Sequence, residues 1–209
     1  MQHSREICNL FRKNPIGSWP IFSFMRNAHI QLAHALWQEL LQPGDLVVDA
    51  TCGNGKDLLL LCQKVLREST GHVFALDLQQ EAIEQSRRYL QENLAIDLLS
   101  RVTFFQQCHS SFPKEIAQES IRLIVYNLGY RPTGNKQITT QTATTLQSIS
   151  NAMGLVRPGG RISLTCYPGH VEGAREQEAI LDFLQTLPSS WSFTWIVPTQ
   201  MPLLRPALL

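Results

Sequence analysis

The chain has 209 residues, of which 44% are hydrophobic and 17% charged, with 18 Lys and Arg against 17 Asp and Glu. That is enough apolar material for one domain with a buried core, and it excludes global disorder, a strongly basic nucleic-acid coat and a polybasic membrane anchor. The five cysteines, Cys8, Cys52, Cys62, Cys108 and Cys166, form no C-x-x-C pair, which excludes a disulfide scaffold or zinc ribbon and fits a reducing compartment.

Residues 1–25 carry Pro15, Gly17 and Pro20 and show no periodicity, so they read as an extension ahead of a domain over 26–209. Their charges are followed by no unbroken apolar core, so no secretory signal is expected. The longest apolar run is far too short to span a bilayer, and the expected location is the cytoplasm. From Asn27 to Leu41, Ile30, Ala33, Leu36, Trp37 and Leu40 recur at helical spacing, with Asn27 as N-cap.

Strands and helices then alternate. Strands are expected at 46–50, 72–76, 102–106, 121–126, 161–167 and 191–197. Helices are expected at 56–67, 80–94, 140–153 and 174–187, and Pro158-Gly159-Gly160 reads as a turn. The tail after residue 200 is a weaker candidate for an edge strand, because Pro202 and Pro206 interrupt it. Strand alternating with helix predicts an α/β fold: a mostly parallel twisted sheet with helices on both faces.

The strongest local signal is Asp49-Ala50-Thr51-Cys52-Gly53-Asn54-Gly55-Lys56-Asp57, between the first strand and its helix. Ligands of such sheets bind beyond the carboxyl ends of the strands, where this loop lies. A dinucleotide loop would place a third glycine where Leu58 stands. The flanking acids Asp49 and Asp57 repel a pyrophosphate but suit a cation, and S-adenosylmethionine carries an ammonium and a sulfonium. Asp77 ends the second strand, where an acid accepts hydrogen bonds from ribose hydroxyls. The plainer alternative is a tight turn and an exposed loop acid.

The fourth strand runs into Asn127-Leu128-Gly129-Tyr130-Arg131-Pro132-Thr133-Gly134-Asn135-Lys136. An Asn at this position can offer its side-chain oxygen to an amine nucleophile; the plainer alternative is a strand-capping Asn. Tyr167 and His170 follow the fifth strand on the same edge. Tyr167 reads as a wall of the acceptor pocket. His170 reads either as acceptor of the substrate proton or as a phosphate contact.

Three segments, DATCGNGKD, NLGYRPTGNK and YPGHVEGAREQEAI, resemble the bacterial rRNA methylase family, over about residues 27 to 200. That family includes the enzyme that methylates 5-aminomethyl-2-thiouridine at the tRNA wobble position. The resemblance implies a Rossmann-like class I methyltransferase using S-adenosylmethionine, with tRNA at its anticodon as partner and no metal. It implies that Asp49, Cys52, Gly53, Asn54, Gly55, Asp57, Asp77 and Leu78 contact the cofactor, with Cys108 and His109 near adenine; His109 is equally a structural loop histidine. His34 falls where the family has a His, either covering the cofactor or satisfied on a helix face. Asn127, Tyr130 and His170 would serve catalysis. Two departures stand out: Thr133-Gly134-Asn135-Lys136 replaces a Gly-Gly-Asp-Lys turn, and Gln107-Cys108 precede His109 where an acid or Ser is usual.

Charge is asymmetric along the chain. Residues 45–100 hold nine acids and five bases, and residues 122–175 hold six bases and one acid. Phosphate contact is expected from Arg131, Lys136 and Arg175, with Arg122 and Arg161 on the opposite edge of the sheet. Rival readings are a methyltransferase of rRNA or a small molecule, a nicotinamide-dependent oxidoreductase, and a non-catalytic RNA-binding protein. The sequence leaves the oligomeric state open.

Overall fold

The computed structural model describes residues 28–129, 140–169, 171–196 and 207–208. Elements run in the order α1 (Ala28–Leu40), β1 (Leu46–Asp49), α2 (Lys56–Val65), β2 (His72–Asp77), α3 (Gln80–Asn93), a 3-10 turn (Ile96–Arg101), β3 (Val102–Gln106), β4 (Ile121–Asn127), α4 (Thr142–Leu155), β5 (Val156–Cys166), α5 (Val171–Gln185) and β6 (Ala207–Leu208). The strands form one sheet in the order β3-β2-β1-β4-β5-β6. All pairings from β3 to β5 are parallel, and β6 runs antiparallel to β5. This is the expected doubly covered α/β sheet.

Alternation along each central strand sorts the core onto two faces. Leu123 and Val125 of β4 join Val47 and Val73 beneath Leu58 and Leu61 of α2 and Trp37 of α1. Ile124 and Tyr126 join Val48 and Leu164 beneath Ile149 of α4 and Ile180 of α5. The Trp37 indole N–H donates to Ser163 Oγ on β5 at 2.9 Å. That bond fixes the rotation of α1, whose His29 and His34 then lie over the carboxyl edge of the sheet.

Two expectations at the β5 edge are corrected. Pro158-Gly159-Gly160 is no turn before a strand but a bulge inside β5, which begins at Val156. Ile121 pairs with Val156 and Leu123 already with Arg161. Gly159 takes a φ of +76°, and its carbonyl accepts from the Arg122 guanidinium at 2.6 Å. The sixth strand expected at 191–197 is also absent over the described residues 191–196, where Ile196 makes only an isolated bridge. Trp191 packs with the cluster under α4 and α5, and Ile196 with the cluster under α1 and α2. The apolar alternation therefore covers both faces instead of pairing as a strand. Thr165 and Cys166 of β5 pair instead with Leu208 and Ala207 of the tail.

Candidate functional site

The chain order reverses direction between β1 and β4, and the loop after β1 sits at that switch point. Ala50 N–H donates to Val125 O of β4, and Cys52 N–H donates to Leu76 O of β2, both at 2.9 Å. The loop thus straddles the strands on either side of β1. Gly53 and Gly55 take φ of +50° and +79°, open to glycine at little cost. A Cβ on Gly55 would stand 2.9 Å from Ser86 Cα, because α3 packs directly on the loop. Ser86, fully buried, donates to the carbonyls of Cys52 at 3.2 Å and Gly53 at 3.0 Å. Ser86 has no signal in the local motif; the sequence hides it on a helix thirty residues away.

The carboxylates converge here. Asp49 is 2% exposed; one oxygen accepts from Thr51 N–H at 3.1 Å, and its Oδ2 is buried with no partner. Burial, followed by the negative charge of Asp57, pushes its pKa well above the usual carboxylate range, with Asp77 adding to the rise. Asn54 Oδ1 is likewise buried and unpartnered. Asp77 accepts from Gly53 N–H at 3.0 Å and Gln79 N–H at 2.9 Å, which fixes its carboxylate at the end of β2. Leu78 beside it is 58% exposed, an apolar surface at the same edge. An orphaned buried carboxylate oxygen calls for a cation, and a carboxylate locked at the second strand end suits a diol. These residues fit S-adenosylmethionine.

On the other side of the loop stands a second cluster. Asn127 ends β4, and its backbone N–H donates to Thr51 Oγ1 at 2.8 Å. Its side-chain Nδ2 donates to Asp57 Oδ2 at 3.3 Å, and Asp57 Oδ1 lies 2.7 Å from His34 Nε2. Tyr167, just past β5, lies beside the Asn127 side chain. Burial and the Asp57 charge raise its pKa above that of a free phenol, so its hydroxyl stays protonated. His29 Nε2 lies 3.4 Å from that hydroxyl, and the two rings meet edge to face at 5.6 Å. His29 is buried, which lowers its basicity. Sequence reasoning overlooked His29 and Thr51; Thr51 lay inside the motif but without any spacing cue to β4.

The remaining expected residues fall as follows. Cys52 is buried and its thiol is pushed well up, first by burial and then by Asp49, so it is inert packing under the loop. Cys108 is half-buried after β3, its sulfur accepting from Ser110 N–H at 3.5 Å. His109 sits 9% exposed, edge to face with Tyr126, with Nε2 3.5 Å from Thr145 Oγ1. Arg175 is exposed and pairs with Glu172 at 2.8 Å. Arg122 lies at the start of β4 and Arg161, past the bulge of β5, pairs with the neighbouring Leu123, so both are away from the carboxyl edge, and Arg157 is paired with Asp45 at 2.8 Å. Tyr130, Arg131, Lys136 and His170 lie outside the described residues, as does the expected N-cap Asn27. Among the described residues no cluster of His, Cys, Asp and Glu could hold a metal ion, and no helix is long and apolar enough to cross a membrane.

The buried His109 gives a stability prediction. Burial lowers its pKa from 6.5 to about 4. The unfolded chain therefore binds more protons between those values, and stability falls as pH drops through that window. The full effect is about 3 kcal/mol at ~1.4 kcal/mol per pH unit. Denaturant midpoints between pH 7 and 4 should fall more steeply for the wild type than for His109→Gln; parallel slopes would refute the buried, neutral assignment.

The sequence model described as "Putative rRNA methylase" matches residues 73–202. The chloroplastic tRNA (mnm(5)s(2)U34)-methyltransferase of Arabidopsis thaliana is 38% identical over 175 residues, covering 81% of this chain. The chain spans 64% of the length of that curated relative. Among solved structures, a "putative rRNA-methylase" from Clostridium thermocellum is 32% identical with a TM-score of 0.79, covering 86% of this chain and 94% of that one. A "putative methyltransferase" from Streptococcus mutans, in complex with SAH, is 28% identical with a TM-score of 0.73 over the same shares.

Proposed function

The chain belongs to the rRNA methylase family, and from that membership we propose that it is an S-adenosylmethionine-dependent enzyme that N-methylates the 5-aminomethyl group of 2-thiouridine at the tRNA wobble position. The observation that carries this reading is the meeting, at one sheet edge, of two unlike clusters. On one side is an orphaned carboxylate suited to a cation; on the other is an amide at the end of β4 suited to an amine. The acceptor follows the Arabidopsis relative, whose description names that nucleotide, and the cofactor follows the Streptococcus mutans structure with SAH.

Asp49 Oδ2 and Asn54 Oδ1 take the cofactor's ammonium and Asp77 its ribose, with Leu78 and Cys108 flanking adenine. S-adenosylmethionine, when bound, supplies an electrophilic methyl on a sulfonium. Asn127 Oδ1 accepts an N–H of the neutral amine and turns the nitrogen lone pair toward that methyl. Tyr167 walls the pocket beside Asn127 with a hydroxyl that stays protonated. Orientation of this kind accounts for most of what an enzyme contributes to a displacement that needs no covalent intermediate. Arg131, Lys136 and Arg175 meet the anticodon phosphates, Tyr130 stacks on the splayed base, and His170 completes the acceptor loop. We take residues 26–209 as the catalytic domain and the cytoplasm as its location.

An rRNA acceptor is the second reading, favoured by the family's own description. A nicotinamide reading is disfavoured by Leu58, which fills the third-glycine position and is fully buried in the core. Titration calorimetry separates these classes. S-adenosylmethionine should bind and NAD should not; the reverse would refute the cofactor assignment. In a deletion strain, tRNA should accumulate 5-aminomethyl-2-thiouridine, and an unchanged nucleoside profile would refute the wobble assignment.

A further inference from the structure

Asp57 was expected to serve the cofactor, as the acid that opens the helix after the glycine loop. Its carboxylate points elsewhere. One oxygen meets His34 Nε2 at 2.7 Å and the other accepts from Asn127 Nδ2 at 3.3 Å. The side chains come from three elements, α1, α2 and the end of β4, so no local turn chemistry explains the arrangement. Asp57 and His34 are only partly exposed, 17% and 24%, which limits how far water can replace either contact.

An ionised carboxylate only accepts hydrogen bonds. The group facing Asp57 Oδ2 must therefore be the Asn127 nitrogen, and the Asn127 oxygen must turn away from Asp57. For the same reason His34 must carry its hydrogen on Nε2. Remove the carboxylate, and the acceptor that pins the Asn127 amide nitrogen is gone, so the amide can turn over and present a donor where an acceptor oxygen stood. We propose that Asp57 and His34 are positioning residues of the acceptor half of the site: His34 holds Asp57, and Asp57 sets the Asn127 amide with Oδ1 toward the amine. The assignment rests on the reading of Asn127 as the group that orients the acceptor. The other titratable groups around the pair are Asp49 at the end of β1, Tyr167 past β5 and, through Tyr167, His29.

Three measurements on the full chain test this. The first is the side-chain amide resonance of Asn127 by NMR. In the wild type its protons should be shifted downfield by the carboxylate, and Asp57→Asn should move them upfield. The second is cofactor affinity by calorimetry, which should stay within about threefold in both Asp57→Asn and His34→Gln. The third is single-turnover methyl transfer to tRNA bearing 5-aminomethyl-2-thiouridine. Misplacement of a reacting group by about an ångström costs on the order of 10²-fold. The rate should fall by about that factor in Asp57→Asn and by about tenfold in His34→Gln, with KM for tRNA little changed.

An unmoved Asn127 resonance in Asp57→Asn would overturn the assignment, as would a cofactor affinity that falls in step with the rate. The second outcome would return Asp57 to the cofactor. A wild-type protein that binds cofactor and leaves this tRNA unmethylated would defeat the proposed acceptor instead, and the NMR shift would still report whether Asp57 orients the amide.

Discussion

Asn127→Ala should keep S-adenosylmethionine affinity within a few-fold of the wild type and lose about 10²- to 10³-fold in the rate of methyl transfer. The direction follows from where the side chain sits. Asn127 ends β4 with its backbone N–H tied to Thr51 Oγ1, so truncation beyond Cβ leaves the strand end and the glycine loop connected. What is lost is the amide between Asp57 and Tyr167, and with it the acceptor oxygen that aligns the nucleophile. Alignment of the attacking atom is worth several kcal/mol of barrier in reactions of this type. Single-turnover kinetics beside calorimetry checks the split. Equal losses in affinity and rate would make Asn127 a cofactor ligand.

The second large effect is at Asp49. Asp49→Asn should cost at least about 10²-fold in cofactor affinity, since removing one partner of a buried charge pair typically costs 3–5 kcal/mol. Without ligand the same variant should be at least as stable as the wild type. The folded protein raises the pKa of Asp49, first by burial and then by the charge of Asp57. The folded state therefore retains a proton over a window where the unfolded chain, with an ordinary carboxylate near ~3.9, has lost it. Stability is greatest below that unfolded value and declines as pH rises toward the folded one. The decline should be missing from melting curves of Asp49→Asn. Binding of a cation restores the charged form, so cofactor binding below the raised value should release a proton. Calorimetry in buffers of different ionisation enthalpy reads that release, and identical heats in all buffers at such a pH would contradict it.

The central sheet was legible because strands buried on both faces read as unbroken apolar runs; Leu123–Tyr126 is such a run, and it lies in β4. The glycine loop was legible because Gly53 and Gly55 need positive φ, and because Asp49 marks the end of β1 and Asp57 the first turn of α2. Other features were hidden by non-local contacts. The bulge at Pro158-Gly159-Gly160 looks like a turn until Arg122 donates across to Gly159. The alternation at 191–196 looks like a strand until Trp191 and Ile196 go to opposite faces of the sheet. Within the site, the contacts of Asp57 with His34 and Asn127 join residues 23 and 70 positions apart, and no spacing rule encodes them. His109 shows the limit of motif reading, since its place after the third strand admitted two roles. Its packing against Tyr126 and its lowered pKa describe a neutral, interior ring.

Charge repeats the division of the site. The acids Asp49, Asp57 and Asp77 gather at the β1 and β2 ends. Of the bases between 122 and 175, Arg122 and Arg157 are taken up by Gly159 O and Asp45. The basic excess available for RNA among the described residues is smaller than the sequence count suggests. Arg175 is held only by an exposed pair with Glu172, which is weak enough to yield to a phosphate.

The most direct measurement is the reaction itself. The purified protein would be incubated with S-adenosylmethionine and tRNA that carries 5-aminomethyl-2-thiouridine, and the nucleosides resolved by mass spectrometry. The wobble nucleoside should become one methyl heavier, with the methyl on the exocyclic nitrogen. A wobble nucleoside unchanged in mass, or a methyl found on another atom or another RNA, would contradict the assignment.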